Sequence, residues 1–241
     1  MGRSPSSYAG AERVCGVIRL VLLRHGSSEW NLCGRFTGWT DIALDEQGLS
    51  QARQAGKRLD DAGLHFDEVH DSVLLRAHQT VDCILKEELP RYSSWRLNER
   101  HYGKLQGMNK EEIFALWGEQ RARLWWRGYF EAPPPLDLDD PRHPRFDPLY
   151  ADLDPALLPA SESLADCQKR LLPYWNEVLA PRIAAGKSLL VVSHGNTLRS
   201  LVMHLEGISP ERIENVEIPS GVPILYCFDA NLEIREKRLL P

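Results

Sequence analysis

A histidine and a glycine follow an apolar run at two places in this 241-residue chain, "LVLLRHGS" around His25 and "LLVVSHGN" around His194. In α/β proteins, functional groups collect where parallel strands end and turn into helices. A histidine just past a strand can bond one ring nitrogen to backbone and show the other to a pocket, and Gly26 allows a tight turn and close approach of a ligand. Arg24 adds a guanidinium fork shaped for phosphate oxygens. Alone, the string Arg24-His25-Gly26 reads better as a buried histidine satisfied by backbone. His194-Gly195-Asn196 repeats it, and Arg76, after "HDSVLL", brings a second guanidinium to another strand end. Two arginines and two histidines at converging strand ends suit a phosphoryl group. Their mutual repulsion should lower one histidine's pKa and leave a neutral, nucleophilic imidazole. Phosphoryl transfer needs positioning and charge stabilisation, so this set suffices without a metal. Glu99 in "LNERHYG" is the candidate proton donor, although that stretch alone also fits a surface glutamate paired with Arg100.

The elements that must position these groups are legible in outline. A strand ends near Leu23. A helix follows, with Leu49, Ala52, Ala55 and Leu59 at helical spacing, Asp45 or Ser50 as its cap and Gly63 past its end. "FDEVHDS" reads as a strand and "RAHQTVDCILKEELP" as a helix ended by Pro90. The order β-α-β-α over residues 17–90 signals an α/β layer fold with parallel strands. Helical periodicity and aromatics continue to residue 130, and a stretch with seven prolines from Pro133 to Pro155 reads as a crossing loop or lid. A third helix starts at Ser161 or Ser163 and is kinked by Pro173. "KSLLVVSHG" is a central strand apolar on both faces, "NTLRSLVMHLEG" a helix and "PILYCFD" a late strand at an edge. The expected architecture is α/β: a three-layer αβα sandwich around a mostly parallel sheet, with a lid insertion at 93–155 over the C-terminal ends of the strands. Residues 1–13 read as a disordered extension and 14–241 as a single domain.

The net charge is −5, so no general basic field advertises nucleic acid or acidic membrane. "VCGVIRLVLL" is broken by Arg19, lacks a cleavage site and is too short to span a membrane. The five cysteines are scattered without CxxC spacing and read as reduced, mostly buried thiols of a cytoplasmic protein. His65, His70, His78, His143 and His204 lack partners at ligand spacing, so no metal site is expected. The cluster "LWWRGYF" reads as lid packing.

Residues 18–229 resemble the cofactor-dependent phosphoglycerate mutases of the histidine phosphatase superfamily. The likeness rests on "LRHGSSEWN", "RFTGWTD", "LDEQGLSQA", "SVLLRAHQT", "SWRLNERHYGKLQGMNK", "LPYWNE", "SHGNTLR" and "HLEGIS…IPSGVPI" in that order. It implies that His25 is phosphorylated, that Arg24, Arg76 and His194 surround the phosphoryl group, and that Glu99 is the acid/base. Ser28, Asn31, Thr37, Gly38, Arg100, Tyr102, Lys110, Arg127, Gly195 and Asn196 would hold the substrate. The reaction implied is the exchange of 3- and 2-phosphoglycerate, primed by 2,3-bisphosphoglycerate, in a homodimer or homotetramer. Three departures stand out. Ser27 replaces the family's Glu; Trp126 and Leu149 stand where the family has arginines. The chain also ends at Pro241, short of the tail many members fold over the site. Missing clamps should let water in and favour a phosphatase of the same fold. A weakened anion-binding module is the third alternative, against which the full set of nucleophile and proton donor argues.

Overall fold

The apolar run at the start of the first strand alternates between two covered faces, and this sets the layers of the computed structural model, which describes residues 18–241. Leu20 and Leu22 of β1 (Ile18–Arg24) pack with one set of helices, Val21 and Leu23 with the other. Burial on both faces makes such a strand continuously apolar. The first set comprises α6 (Leu164–Tyr174), α7 (Ala180–Ala184) and α8 (Gly195–Glu206); the second comprises α2 (Glu46–Asp61) and α3 (Leu75–Ile84). Between them lies a six-stranded sheet of β1, β2 (Glu68–Asp71), β3 (Arg91–Ser93), β4 (Leu189–Ser193), β5 (Ile224–Phe228) and β6 (Ile234–Leu239), in the order β3-β2-β4-β1-β5-β6. The β2–β3, β2–β4 and β1–β4 pairs are parallel, and β5 and β6 join antiparallel. This is the α/β sandwich expected.

Four details differ from the sequence reading. α3 stops at Ile84, where Leu85 turns extended (φ −73, ψ 130) and, with Leu89, packs on the second core. The segment up to Pro90 is thus not helix. The three-residue β3 follows, and β5 is not an edge, because β6 covers it. Among the described cysteines Cys33 is exposed and Cys83 half-buried, so only Cys167 and Cys227 fit a buried reading, and Cys15 lies outside the described residues. The extension at 1–13 also lies outside them.

The third helix begins as anticipated at Ser163, whose hydroxyl and the Asp166 carboxylate form a capping box. Pro173 does not end it. The chain passes through one wide π turn at Trp175–Leu179 and resumes as α7. A missing N–H at proline and a π turn are recognised causes of such irregularity.

The segment from 93 to 155 holds α4 (Lys110–Trp117), α5 (Glu119–Arg127) and short 3-10 turns. Two small apolar clusters secure it. Phe36, Tyr102, Leu105, Ile113 and Ala122 form one; Trp39, Tyr150 and Leu158 form the other.

Candidate active site

Three parallel strands deliver the central groups. His25 follows β1 and is almost fully buried. The turn that carries it presses on the first turn of α2, where a Cβ on Gly26 would lie 2.3 Å from Gly48 O. Only glycine fits there. His25 Nδ1 lies 2.6 Å from Gly26 O, and Arg76 Nε donates to His25 Nε2 over 3.3 Å. The two contacts together define one tautomer: the proton is on Nδ1, and Nε2 presents a lone pair. Burial, then Arg76 and Arg24, hold the His25 pKa well below its usual value, so the ring is neutral. Desolvation, rather than the mutual repulsion expected from the sequence, is the larger cause.

Arg76 reaches His25 from the first turn of α3. That helix is capped from outside, Asp41 Oδ1 accepting from Leu75 N at 2.7 Å. The guanidinium also donates to Gly38 O (2.7 Å) and Thr40 O (3.0 Å), which fixes it. Burial lowers its pKa to about 10, with Arg24 adding to the effect, and it stays charged. Arg24 donates to Ile218 O at 2.9 Å, and its Nε is buried without a partner among the described residues. Buried donors left unpaired are costly, and an anion would satisfy this one.

His194 caps α8 and lies wholly buried behind His25, with ring centroids 4.8 Å apart. Its Nε2 is 2.6 Å from Ser72 Oγ, and its Nδ1 has no partner among the described residues. Burial and then Arg76 lower its pKa well below the usual value. Glu99 comes from the loop beneath: its Oε1 accepts from the backbone N–H groups of Arg100 (2.8 Å) and Asn196 (3.1 Å), placing the carboxylate on the N-terminal turn of α8. The Glu99 carbonyl is fixed by Trp39 Nε1 (2.5 Å) and Arg170 (3.1 Å).

These groups line a cavity of about 140 Å³ with six cationic side chains, Arg24, Arg35, Arg76, Lys110, Arg127 and Arg199, against two carboxylates, Glu99 and Glu217. Its size suits a molecule of a few carbons, and its charge an anion. Of the sequence-derived site residues, His25, Glu99, Arg24, Arg76, Asn31, Thr37, Gly38, Tyr102, Lys110, Arg127, Gly195 and Asn196 line it. His194 sits one layer below. Ser28 and Arg100 do not reach it. Ser28 caps α1 (Glu29–Leu32), holding the Asn31 side chain at 3.0 Å. The Arg100 guanidinium instead donates to the carbonyls of Trp125 (2.6 Å) and Trp126 (2.5 Å) at the C-terminal end of α5.

Sequence reasoning did not single out Arg35, Arg199 or Glu217. Arg199 stands one helical turn after Asn196, to which it donates at 2.9 Å, and that i, i+3 spacing was a usable signal. Of the three departures, only Trp126 touches the cavity, with Lys110 Nζ 4.7 Å over its ring. Ser27 donates to Asp45 on the far side (2.6 Å), and Leu149 is exposed outside the cavity lining. Among the described residues no group of three or more His, Cys, Asp or Glu could hold a metal ion, and no helix is long and apolar enough to cross a membrane.

Comparison with known proteins gives consistent relatives. The sequence model of the histidine phosphatase superfamily (branch 1) matches residues 20–143 and 137–229. A 2,3-bisphosphoglycerate-dependent phosphoglycerate mutase of Nitratidesulfovibrio vulgaris (strain DSM 19637 / Miyazaki F) is 51% identical over 225 residues, covering 92% of this chain and 90% of that protein. Among solved structures, mycobacterial hydrolase 1 superposes with a TM-score of 0.70 at 24% identity, covering 92% of this chain and 96% of that one. Bacillus stearothermophilus YhfR gives 0.69 at 23%, covering 90% and 94%. These two share the fold.

Proposed function

The chain belongs to the histidine phosphatase superfamily (branch 1), and on that premise we propose that it is a phosphoglycerate mutase, interconverting 3-phosphoglycerate and 2-phosphoglycerate through a phosphohistidine at His25. The observation that carries this reading is the charge layout of one small cavity. Arg24 and Arg76 stand beside a neutral His25, and Lys110 and Arg127 line the same cavity from α4 and α5. Such a site holds a molecule with two anionic ends.

His25 Nε2 attacks phosphorus, forming an N–P bond as the P–O bond breaks, and Glu99 gives a proton to the leaving oxygen. In the return step Glu99 takes a proton from the accepting hydroxyl, and the N–P bond breaks. Arg24, Arg76 and the Nδ1–H of His194 meet the charge that develops on the phosphoryl oxygens. Asn31, Thr37, Gly38, Tyr102, Gly195 and Asn196 shape the cavity around the ligand.

2,3-Bisphosphoglycerate, when bound, supplies the phosphoryl group that primes His25. The donor set fits it: Arg24 Nε is a buried donor awaiting an acceptor, and guanidinium and ammonium groups outnumber carboxylates three to one. Lys110 and Arg127 would hold the end remote from His25.

The assay is incubation with 3-phosphoglycerate, with and without 2,3-bisphosphoglycerate, following 2-phosphoglycerate and free phosphate. Primer-dependent isomerisation with little phosphate is expected. Phosphate without isomerisation would replace the mutase with a phosphatase of the same fold. His25→Ala should abolish both isomerisation and the acid-labile phosphoryl label on the protein; full activity in that variant refutes the nucleophile.

A further inference from the structure

The cavity gathers cations, yet one of its own carboxylates sits on one of them. Arg127 ends α5 and reaches across to the 3-10 turn at Ile213–Asn215 and the residues just after it. Its Nε and Nη2 donate to Glu214 O at 2.9 and 2.6 Å, and Nη2 donates to Val216 O at 3.0 Å. The same Nη2 lies 2.8 Å from Glu217 Oε1. Nη1 has no acceptor among the described residues. The two partners differ sharply in burial: the Arg127 side chain is 16% exposed and the Glu217 side chain 77%.

Glu99, the other carboxylate of the cavity, is held by two backbone amides as part of the α8 turn. Glu217 has Arg127 alone among the described residues. We propose that Glu217 is an internal competitor for the substrate's carboxylate: it occupies Arg127 when the cavity is free and gives way when a phosphorylated acid enters. Three hydrogen bonds to backbone carbonyls hold the guanidinium, so it stays in place when its carboxylate partner changes. A pair whose carboxylate is this exposed is weak, so the exchange costs little. Glu217, Arg127 and Trp126 also line an adjoining cleft that holds Arg123 and Asn215 beside Glu119 and Glu214, and its Arg123 side gives the displaced side chain somewhere to go. Glu217 thereby sets how tightly the carboxylate end is held, and keeps the product from being bound too firmly to leave.

This inference rests on the reading that the ligand is a phosphorylated acid, and the test separates the two. Binding of 3-phosphoglycerate and of glycerol 3-phosphate, which has the phosphate and lacks the carboxylate, is measured by calorimetry on the full chain and on Glu217→Gln. The variant should tighten 3-phosphoglycerate roughly two- to five-fold more than glycerol 3-phosphate, the factor that an exposed pair can supply. In Arg127→Met the further change Glu217→Gln should alter neither affinity, because the contested cation is gone. Equal tightening of both ligands would reveal only a general charge effect and overturn the proposal, as would no change or weaker 3-phosphoglycerate binding. A chain that isomerises without this discrimination refutes the competitor alone. One that discriminates without isomerising refutes the mutase reading alone.

Discussion

The two central histidines are unequal because their bonded partners are. His25 gives its Nδ1 proton to Gly26 O and keeps a lone pair on Nε2. His194 is turned the other way by Ser72. The Ser72 hydroxyl accepts from Leu74 N at 3.3 Å, and its other partner among the described residues is His194 Nε2 at 2.6 Å; a hydroxyl proton given to that nitrogen leaves the imidazole proton on Nδ1. On the proposed reading, one ring attacks and the other donates. Ser72→Ala should free the His194 tautomer and lower kcat by about ten- to a hundred-fold, the usual effect of losing an orienting partner, with KM little changed. Steady-state kinetics decide this, since an interaction made only in the transition state lowers kcat and kcat/KM together. A raised KM at unchanged kcat would place Ser72 in ground-state binding instead. Glu99→Gln should likewise remove the proton that the leaving oxygen needs, costing about 10²–10⁴-fold in kcat. Most of this placement could be read from the sequence, because His25, Arg24 and His194 sit at the ends of apolar runs and strand ends are where groups converge. Arg35 and Glu217 could not, as they lie in loops with no period to locate them. Ser28 and Arg100 were misplaced for a related reason: a motif supplies residue types, while capping of α1 and α5 decides which way their side chains turn.

At the scale of elements, α6 fixes the loop that carries Glu99. Arg170 donates to the carbonyls of Trp95 (3.2 Å), Arg96 (2.8 Å), Asn98 (3.1 Å) and Glu99 (3.1 Å), and its guanidinium pairs with Glu162 at 2.6 Å. Glu162 in turn accepts from His101 N at 2.8 Å. Both side chains are buried, so this is a cluster in which each charge depends on the other. Arg170→Met leaves Glu162 buried and unpaired, and should destabilise the fold by about 3–5 kcal/mol. Adding Glu162→Gln should restore part of that loss, although the loop carbonyls stay unsatisfied. Urea unfolding of the parent chain and these two variants tests the order; a double variant no more stable than Arg170→Met would mean the carbonyl bonds dominate. The core elements were legible for the reason that makes them core. β1 and β4 are apolar on both faces, and α2 repeats its small and apolar residues at helical spacing. The edges were not. β6 reads "IREKRL", half-buried at its first residue and exposed along the rest, so no hydrophobic alternation announces it. β3 is only three residues long, too short for any pattern.

Across the whole molecule, five buried histidines, His143 among them, share one electrostatic situation, and it makes stability depend on pH. His25 and His194 are depressed by burial and neighbouring cations, His70 is lowered to about 4 and His101 to about 3, burial being the first cause in each case. His70 lies 3.4 Å from the Glu68 carboxylate, a geometry that by itself would raise its pKa. Burial prevails because Glu68 is already paired with Arg182 and Lys187. In the unfolded chain each histidine returns to its ordinary value near 6.5 and takes up a proton as pH falls, while the folded form keeps the ring neutral. The unfolded state then binds more protons, so stability rises with pH through this window and falls on acidification. Above about pH 7 both states are neutral and the contribution is flat. Between about pH 6.5 and pH 4, His70 and His101 should each remove up to about 1.4 kcal/mol per pH unit. Urea unfolding measured from pH 7.5 to pH 4.5 should therefore show a plateau and then a steep acid decline, beginning well above the carboxylate range. His101→Gln tests the assignment away from the nucleophile: its slope below pH 6 should be shallower by one proton, whatever its stability at pH 7.5. A decline that starts only below pH 5, or a His101→Gln slope equal to that of the parent chain, would show that these rings do not enter the fold as neutral groups.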